Sequence, residues 1–164
     1  MPLPLWPEFA PVSLDMRDDL YPALNELPSG ISEFTFSNLY LFRGTYGYRL
    51  SRHPGGAVIV EGAKLGSSFF YVPAAMPPDP VLAELMERND YLKNLSEPQA
   101  AEHGGRFASL GWEISEDRDN FDYIYSRKEL ADLVGKTFHK KRNLVNAFTA
   151  AYECESRPLV PERI

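Results

Sequence analysis

The chain has 164 residues, a net charge of −6, 44% hydrophobic residues and one cysteine. These values fit one domain with a sizeable core, exclude an internal disulfide, and argue against a protein that coats nucleic acid broadly. No run approaches the roughly 18 to 20 apolar residues that a spanning helix needs, and Met1-Pro2-Leu3-Pro4-Leu5-Trp6-Pro7 lacks the basic and apolar regions of a signal peptide, so a cytoplasmic location is expected.

In chain order, Asp15 to Leu27 has the spacing of an amphipathic helix, with Asp15 as N-cap and Pro28-Ser29-Gly30 closing it. Ser32 caps a second segment, Glu33 to Arg43. Its aromatics also fit strand alternation, but Asn38 interrupts that pattern and Thr35 is its one β-branched residue, which favours helix. Tyr46 to Arg52 and Ala57 to Glu61, joined by His53-Pro54-Gly55-Gly56, read as a β-hairpin, and Ser68 to Val72 adds a third strand to the meander. Pro77-Pro78-Asp79-Pro80 opens a helix to about Leu95. Glu97 to Leu110 reads as a further helix that Gly104-Gly105 ends or interrupts. Trp112 to Ser115 and Phe121 to Tyr125 read as short strands, Ser126 or Arg127 opens a short helix to Val134, and Tyr152 to Arg157 reads as a final strand. Pro158 to Ile164 reads as a linker.

Charge is distributed unevenly. Residues 1 to 132 carry 20 acids against 11 Lys and Arg, whereas Leu133 to Tyr152 holds four cations and no acid. Folded as a helix, the segment after Gly135 puts Phe138, Leu144, Val145, Phe148, Ala151 and Tyr152 on one side. His139, Arg142, Asn143 and Asn146 line the other at i, i+3, i+4, i+7. Two amides, a guanidinium and an imidazole make a donor-rich stripe suited to an anionic or amide-bearing ligand, and Lys136 and Thr137 precede it at an anion-friendly helix start. The competing reading is a surface helix whose cations pair with acids elsewhere.

Other candidates are weaker. Glu116, Asp117, Asp119 and Asp122 lack the glycine and distal Glu of an EF-hand loop and have no nearby His or Cys, so they read as a polar turn, with Asp119 or Asp122 placed to orient Arg142. His53 and His103 sit beside glycines and read as solvated loop residues. Phe69, Phe70, Tyr71, Tyr123 and Tyr125 read as core. Cys154, between Glu153 and Glu155, has its thiolate disfavoured and reads as structural. No nucleophile elbow or Walker loop is present, and no metal site is expected.

Three segments together carry a resemblance: Ser32-Glu33-Phe34-Thr35-Phe36-Ser37-Asn38-Leu39-Tyr40, then Glu116 to Tyr125, then Gly135-Lys136-Thr137-Phe138-His139-Lys140-Lys141-Arg142-Asn143. In order and spacing they resemble a bacterial family described as phosphatidylglycerol lysyltransferase C-terminal-like, similar to tandem GNAT (acyl-CoA N-acyltransferase) folds. The resemblance implies an α/β (α+β) fold with a mixed, mainly antiparallel sheet flanked by helices. Residues 1–157 would be the first of two GNAT-like domains and 158–164 the start of the linker to the second. It implies an acyl- or aminoacyltransferase, with aminoacyl-tRNA or acyl-CoA as donor substrate and no certain cofactor. It also implies a role for Arg142 and Asn143 in binding substrate or phosphate, with His139, Lys140 and Lys141 beside them; Asn146 joins this set through the helical stripe. The glycine-rich pyrophosphate signature of ordinary GNAT enzymes is absent, which favours an aminoacyl donor or a donor held by the second domain. A non-catalytic domain that binds an anion or RNA through the same helix is the alternative.

Overall fold

Val58, Ile59, Val60 and Glu61 are consecutive and all buried. Side chains alternate between the faces of a strand, so such a run needs cover on both sides. In the computed structural model of the chain, which describes residues 2–25, 31–155 and 157–158, both covers are present. Two compact units are formed, Met1–Asn120 and Phe121–Ile164.

The first unit is built on a five-stranded sheet in the order β1 (Ala10–Pro11), β2 (Arg49–Arg52), β3 (Val58–Lys64), β4 (Ser67–Tyr71) and β5 (Tyr91–Leu92). The first three pairings are antiparallel; β4 and β5 are parallel, with Phe69 opposite Tyr91 and Phe70 opposite Leu92. On one face Val58, Val60, Phe69 and Tyr71 pack with Leu20 and Leu24 of α1 (Arg17–Asn25) and Leu39 of α2 (Phe36–Tyr46). On the other, Ile59, Phe70 and Val72 pack with Leu82 and Leu85 of α3 (Asp79–Arg88) and Phe107 of α4 (Glu97–Ser109). Each such side chain contributes about 1.5–3 kcal/mol on full burial. Glu61 is sealed among apolar groups but satisfied by Arg88 Nε at 3.1 Å and Asn89 Nδ2 at 3.3 Å.

The architecture is a mixed α/β fold with a mostly antiparallel open sheet and, among the described residues, six α-helices, consistent with a GNAT-like α+β fold. The meander and the helical second segment agree with expectation, but several boundaries move. Asp15 lies inside a 3₁₀ turn, Leu14–Met16, rather than capping α1. Thr35, not Ser32, caps α2: its Oγ1 accepts from Asn38 N at 3.2 Å. The proposed close of α1 at Pro28-Ser29-Gly30 lies outside the described residues. The helix after Pro80 ends at Arg88 because Asn89 turns extended and its Nδ2 donates to the Leu85 carbonyl at 2.9 Å, after which β5 forms. Gly104 and Gly105 do not break α4, which Ser96 and Gln99 start with a reciprocal capping box. Neither Trp112 to Ser115, Phe121 to Tyr125 nor the described part of Tyr152 to Arg157 forms a strand.

The N-terminal segment is tied down by Asp19. Its Oδ2 accepts from Leu3 N at 2.9 Å and its Oδ1 pairs with Arg52 Nη1 at 2.8 Å, while Arg52 Nη2 donates to the Asp19 carbonyl at 3.1 Å. The Leu3 amide, aided by Arg52 and opposed by partial burial, lowers the carboxyl's affinity for protons. A lowered folded-state value means stability that is present above the ordinary carboxylate range and is lost as acid protonates the folded group.

Two outcomes follow. Asp19→Asn lowers Tm at neutral pH, and its deficit relative to the parent shrinks as pH falls below about 4; a deficit constant from pH 7 to pH 2 in thermal melts contradicts the linkage. Gly62→Ala places a methyl 2.8 Å from Phe69 Cζ and 3.0 Å from Tyr48 Cδ1, both in packed rings. Overpacking of this kind costs about 1–3 kcal/mol in urea unfolding, and an unchanged midpoint refutes the fit.

Candidate functional site

Unit 2, taken by itself, is two helices and their connections. Ser126 caps α5 (Arg127–Asp132), its Oγ accepting from Glu129 N at 3.3 Å. The helix stops at Leu133, whose φ of 50° is left-handed, and Gly135 at φ 86° completes the reversal into α6 (His139–Ala151). Glycine suits Gly135 because a side chain there would be strained. The α6 N-cap position, Phe138, supplies no side-chain cap bond. The first turn of α6 contains no acid, while His139, Lys140 and Lys141 stand at its positive end. Cations at a helix N-terminus oppose the backbone dipole, so this end favours an incoming anion.

The expected stripe forms. His139, Asn143 and Asn146 are exposed on one side of α6, with Arg142 half-buried between them. Lys140 and Lys141 are exposed nearby, the latter with its Nζ 5.4 Å from the Tyr125 ring centroid. Arg142 has two backbone partners that the sequence does not suggest. Its Nη1 donates to the carbonyls of Leu133 and Gly135, at 3.1 Å in the second case. Arg142 therefore staples the α5–α6 connection. Nε and Nη2 take no part in those two bonds.

The opposite side of α6 departs from its expected role. Phe138 is buried, but Leu144 is 73% and Phe148 52% exposed, as are Val145 and Tyr152 to similar degrees. Tyr123 and Tyr125, expected in the core, are exposed, whereas Phe69, Phe70 and Tyr71 are buried as expected. Cys154, expected to be structural, is also exposed. His103, expected in a loop, lies within α4 against Phe107, while His53 is in the hairpin turn, its Nδ1 accepting from Gly55 N at 3.0 Å.

Unit 1 holds a cluster that the sequence did not reveal. Lys93, just after β5, places its Nζ 4.9 Å from the Phe69 ring centroid and 5.6 Å from that of Tyr46. Burial lowers its proton affinity, with Glu33 acting in the other direction. Beneath it, burial pushes Tyr48 up to about 12 and Tyr71 higher still, and the Tyr71 hydroxyl makes no hydrogen bond of ordinary geometry. Nothing in the spacing of residues 33, 48, 71 and 93 signals this; they meet only through the tertiary fold, from a 3₁₀ turn, the approach to β2, the end of β4 and the exit of β5. Among the described residues, no group of three or more His, Cys, Asp or Glu is placed to hold a metal ion, and no helix is long and apolar enough to cross a membrane.

A family model described as "Phosphatidylglycerol lysyltransferase, C-terminal" matches residues 24–164. The chain belongs to that family. Both α6 faces and the Lys93 cluster fall inside the matched range. Among solved structures, the chain is similar to a conserved protein of unknown function from Bacteroides thetaiotaomicron VPI-5482, at 27% identity and a TM-score of 0.71. That match covers 94% of this chain and 54% of the other, so the chain spans about half the length of its structural relative. No curated protein matches it.

The Arg142 staple generates its own expectation. Hydrogen bonds from charged donors contribute about 1.5–3 kcal/mol, so Arg142→Ala accelerates amide exchange across residues 133–139 by roughly tenfold or more. Exchange rates equal to the parent's show that the staple carries no weight.

Proposed function

We propose that this member of the phosphatidylglycerol lysyltransferase C-terminal family is the N-terminal half of a tandem GNAT-like acyl- or aminoacyltransferase working in the cytoplasm. Residues 1–157 form the first domain, 158–164 begin the linker, and α6 binds an anionic or phosphate-bearing part of the donor or acceptor. The observation carrying this reading is the acid-free start of α6, where an exposed helix N-terminus, His139, Lys140 and Lys141 leave positive potential unneutralised within the turn. Asn143 and Asn146 stand one and two turns further along with free amide geometry for orienting a ligand, and Nε and Nη2 of Arg142 add directional donors beside them.

The reaction class is attack of an amine or hydroxyl on an activated ester. In the attack a bond forms from the acceptor nitrogen or oxygen to the acyl carbon, the ester C–O or thioester C–S bond breaks, and the nucleophile's proton ends on the departing oxygen or sulfur. Such chemistry depends on alignment of the reactants and stabilisation of the developing oxyanion rather than on a covalent enzyme nucleophile. The role of the α6 residues is to hold and align the charged part of a substrate; aminoacyl-tRNA is the favoured donor and acyl-CoA the alternative.

A second reading, a non-catalytic scaffold that binds an anion or RNA beside a catalytic partner, is favoured by one observation: Arg142 spends part of its guanidinium on its own backbone. Salt and turnover separate the two. In the natural polypeptide, Asn143→Ala with Asn146→Ala lowers transfer from charged tRNA about tenfold, the loss of two hydrogen bonds of about 0.5–1.5 kcal/mol each, with the melting curve unchanged. Affinity falls with salt by about 0.7 log unit per log unit for each phosphate contacted on a single strand. Salt-sensitive binding with no turnover selects the scaffold, and binding of neither charged tRNA nor acyl-CoA overturns both readings.

A further inference from the structure

A cation that gives up part of its hydration ordinarily meets a carboxylate. The half-buried arginines of unit 1 follow this rule: Arg52 pairs with Asp19 at 2.8 Å, and Arg106 pairs with Asp79. Lys93 does not. It is half-buried, its Nζ lies over the Phe69 and Tyr46 rings, and among the described residues its ammonium makes no ion pair or hydrogen bond. The backbone fixes it there, because its amide donates to the Phe70 carbonyl at 2.8 Å and Asn94 then turns left-handed at φ 55°. The floor beneath it is closed. The Tyr46 ring centroid is 5.2 Å from that of Tyr48 and 6.2 Å from that of Phe69, and Gly62 leaves Tyr48 and Phe69 room to meet. Ring faces attract an ammonium but replace only part of what water gives it. Among its charged neighbours Glu33 and Asp117 favour the ammonium and Lys64 opposes it, while burial is the largest influence and acts against the charge.

We infer that Lys93 is a reactive amine at which small activated acyl groups, thioesters above all, are captured as a stable amide. Attack belongs to the neutral amine, so surroundings that disfavour the ammonium without enclosing the nitrogen raise the attacking fraction at neutral pH. Lys93 is desolvated but not enclosed. In the capture a C–N bond forms from Nζ to the acyl carbon, the thioester C–S bond breaks, and the amine's proton ends on the departing sulfur. The products are an amide and a free thiol. The fold tolerates this change, because the amide removes a charge that burial disfavours and abandons no ion-paired carboxylate, as modification of a paired cation would. Lys93, the rings under it and Glu33 all lie in unit 1, so the inference uses neither α6 nor the transferase reading.

Acetylation by the acetyl thioester of N-acetylcysteamine, which carries no nucleotide, reads this directly. The natural polypeptide containing this chain is treated with the probe, folded and in urea, and acetyl-Lys93 is quantified by mass spectrometry against Lys64, the exposed lysine of the same unit. At about pH 7.5 the Lys93-to-Lys64 ratio is expected to be about threefold or more higher in the folded protein than in urea, and this excess falls as pH rises towards the ordinary lysine value of about 10.4. The sign follows from the lowered proton affinity: the folded side chain is neutral more often below that value and no more often above it. A folded ratio equal to or below that in urea overturns the inference. So does an excess that stays constant with pH, which assigns it to reagent access. Glu33→Gln removes a charge that favours the ammonium and is expected to raise Lys93 acetylation a further twofold or about that; no rise overturns the inference as well. If E33Q does not fold, the pH series on the parent decides. The probe needs no tRNA, nucleotide or turnover, so the reactive amine and the transferase reading fail or stand separately.

Discussion

Everything in the first unit depends on β3 and β4 being buried on both faces. A strand with one wet face can be covered by one layer; Val58 to Glu61 and Phe69 to Val72 cannot. That requirement brings α1 and α2 to one side and α3 and α4 to the other, and it forces the single charged group in the run, Glu61, to find Arg88 and Asn89 at the end of α3. It also explains β5. The chain leaves β4, covers the sheet with α3 and returns parallel to β4, and Asp90 secures the return by accepting from both the amide and the hydroxyl of Ser68. A crossover of this kind is the ordinary route to a parallel pair.

The same double cover creates the Lys93 cluster. The Lys93 amide still donates to the Phe70 carbonyl at 2.8 Å, and from that position its side chain runs over Phe69 and Tyr46. The ammonium gains the aromatic faces and loses part of its hydration, two effects that act oppositely on its charge. Burial lowers the proton affinity of Lys93, with the Glu33 charge acting in the other direction. The cluster has no counterpart in the proposed use of α6, and its chemistry is self-consistent as packing, with the ammonium held over the Phe69 and Tyr46 rings.

What the sequence revealed depends on the range of the interactions involved. The hairpin, the third strand, α5 with Ser126 as cap, and α6 with its two faces were all legible because period, turn residues and caps act within a few positions. Boundaries set by a single local bond were less so: Thr35 and Ser32 are both competent caps, and only the geometry shows which oxygen meets Asn38 N. β5 was hidden because Tyr91 and Leu92 continue an apolar spacing that a helix would also use, and two residues become a strand only when β4 is alongside. Within the site, the composition of the stripe could be read but the engagement of Arg142 could not. Which acceptor a guanidinium finds depends on where Leu133 and Gly135 turn, and the left-handed residue at Leu133 is not one that sequence would nominate.

The two faces of α6 are legible in the sequence, yet their usual meaning fails there. A helix with one apolar and one polar side normally presents the first to a core and the second to water. In α6 both sides are exposed, so the hydrophobic effect that should anchor it is unrealised within the described residues; what holds the helix is local, namely Phe138, the Arg142 staple and the Lys141–Tyr125 contact. Local contacts of that number are a weak basis for a 13-residue helix, since tertiary burial supplies most helix stability in proteins.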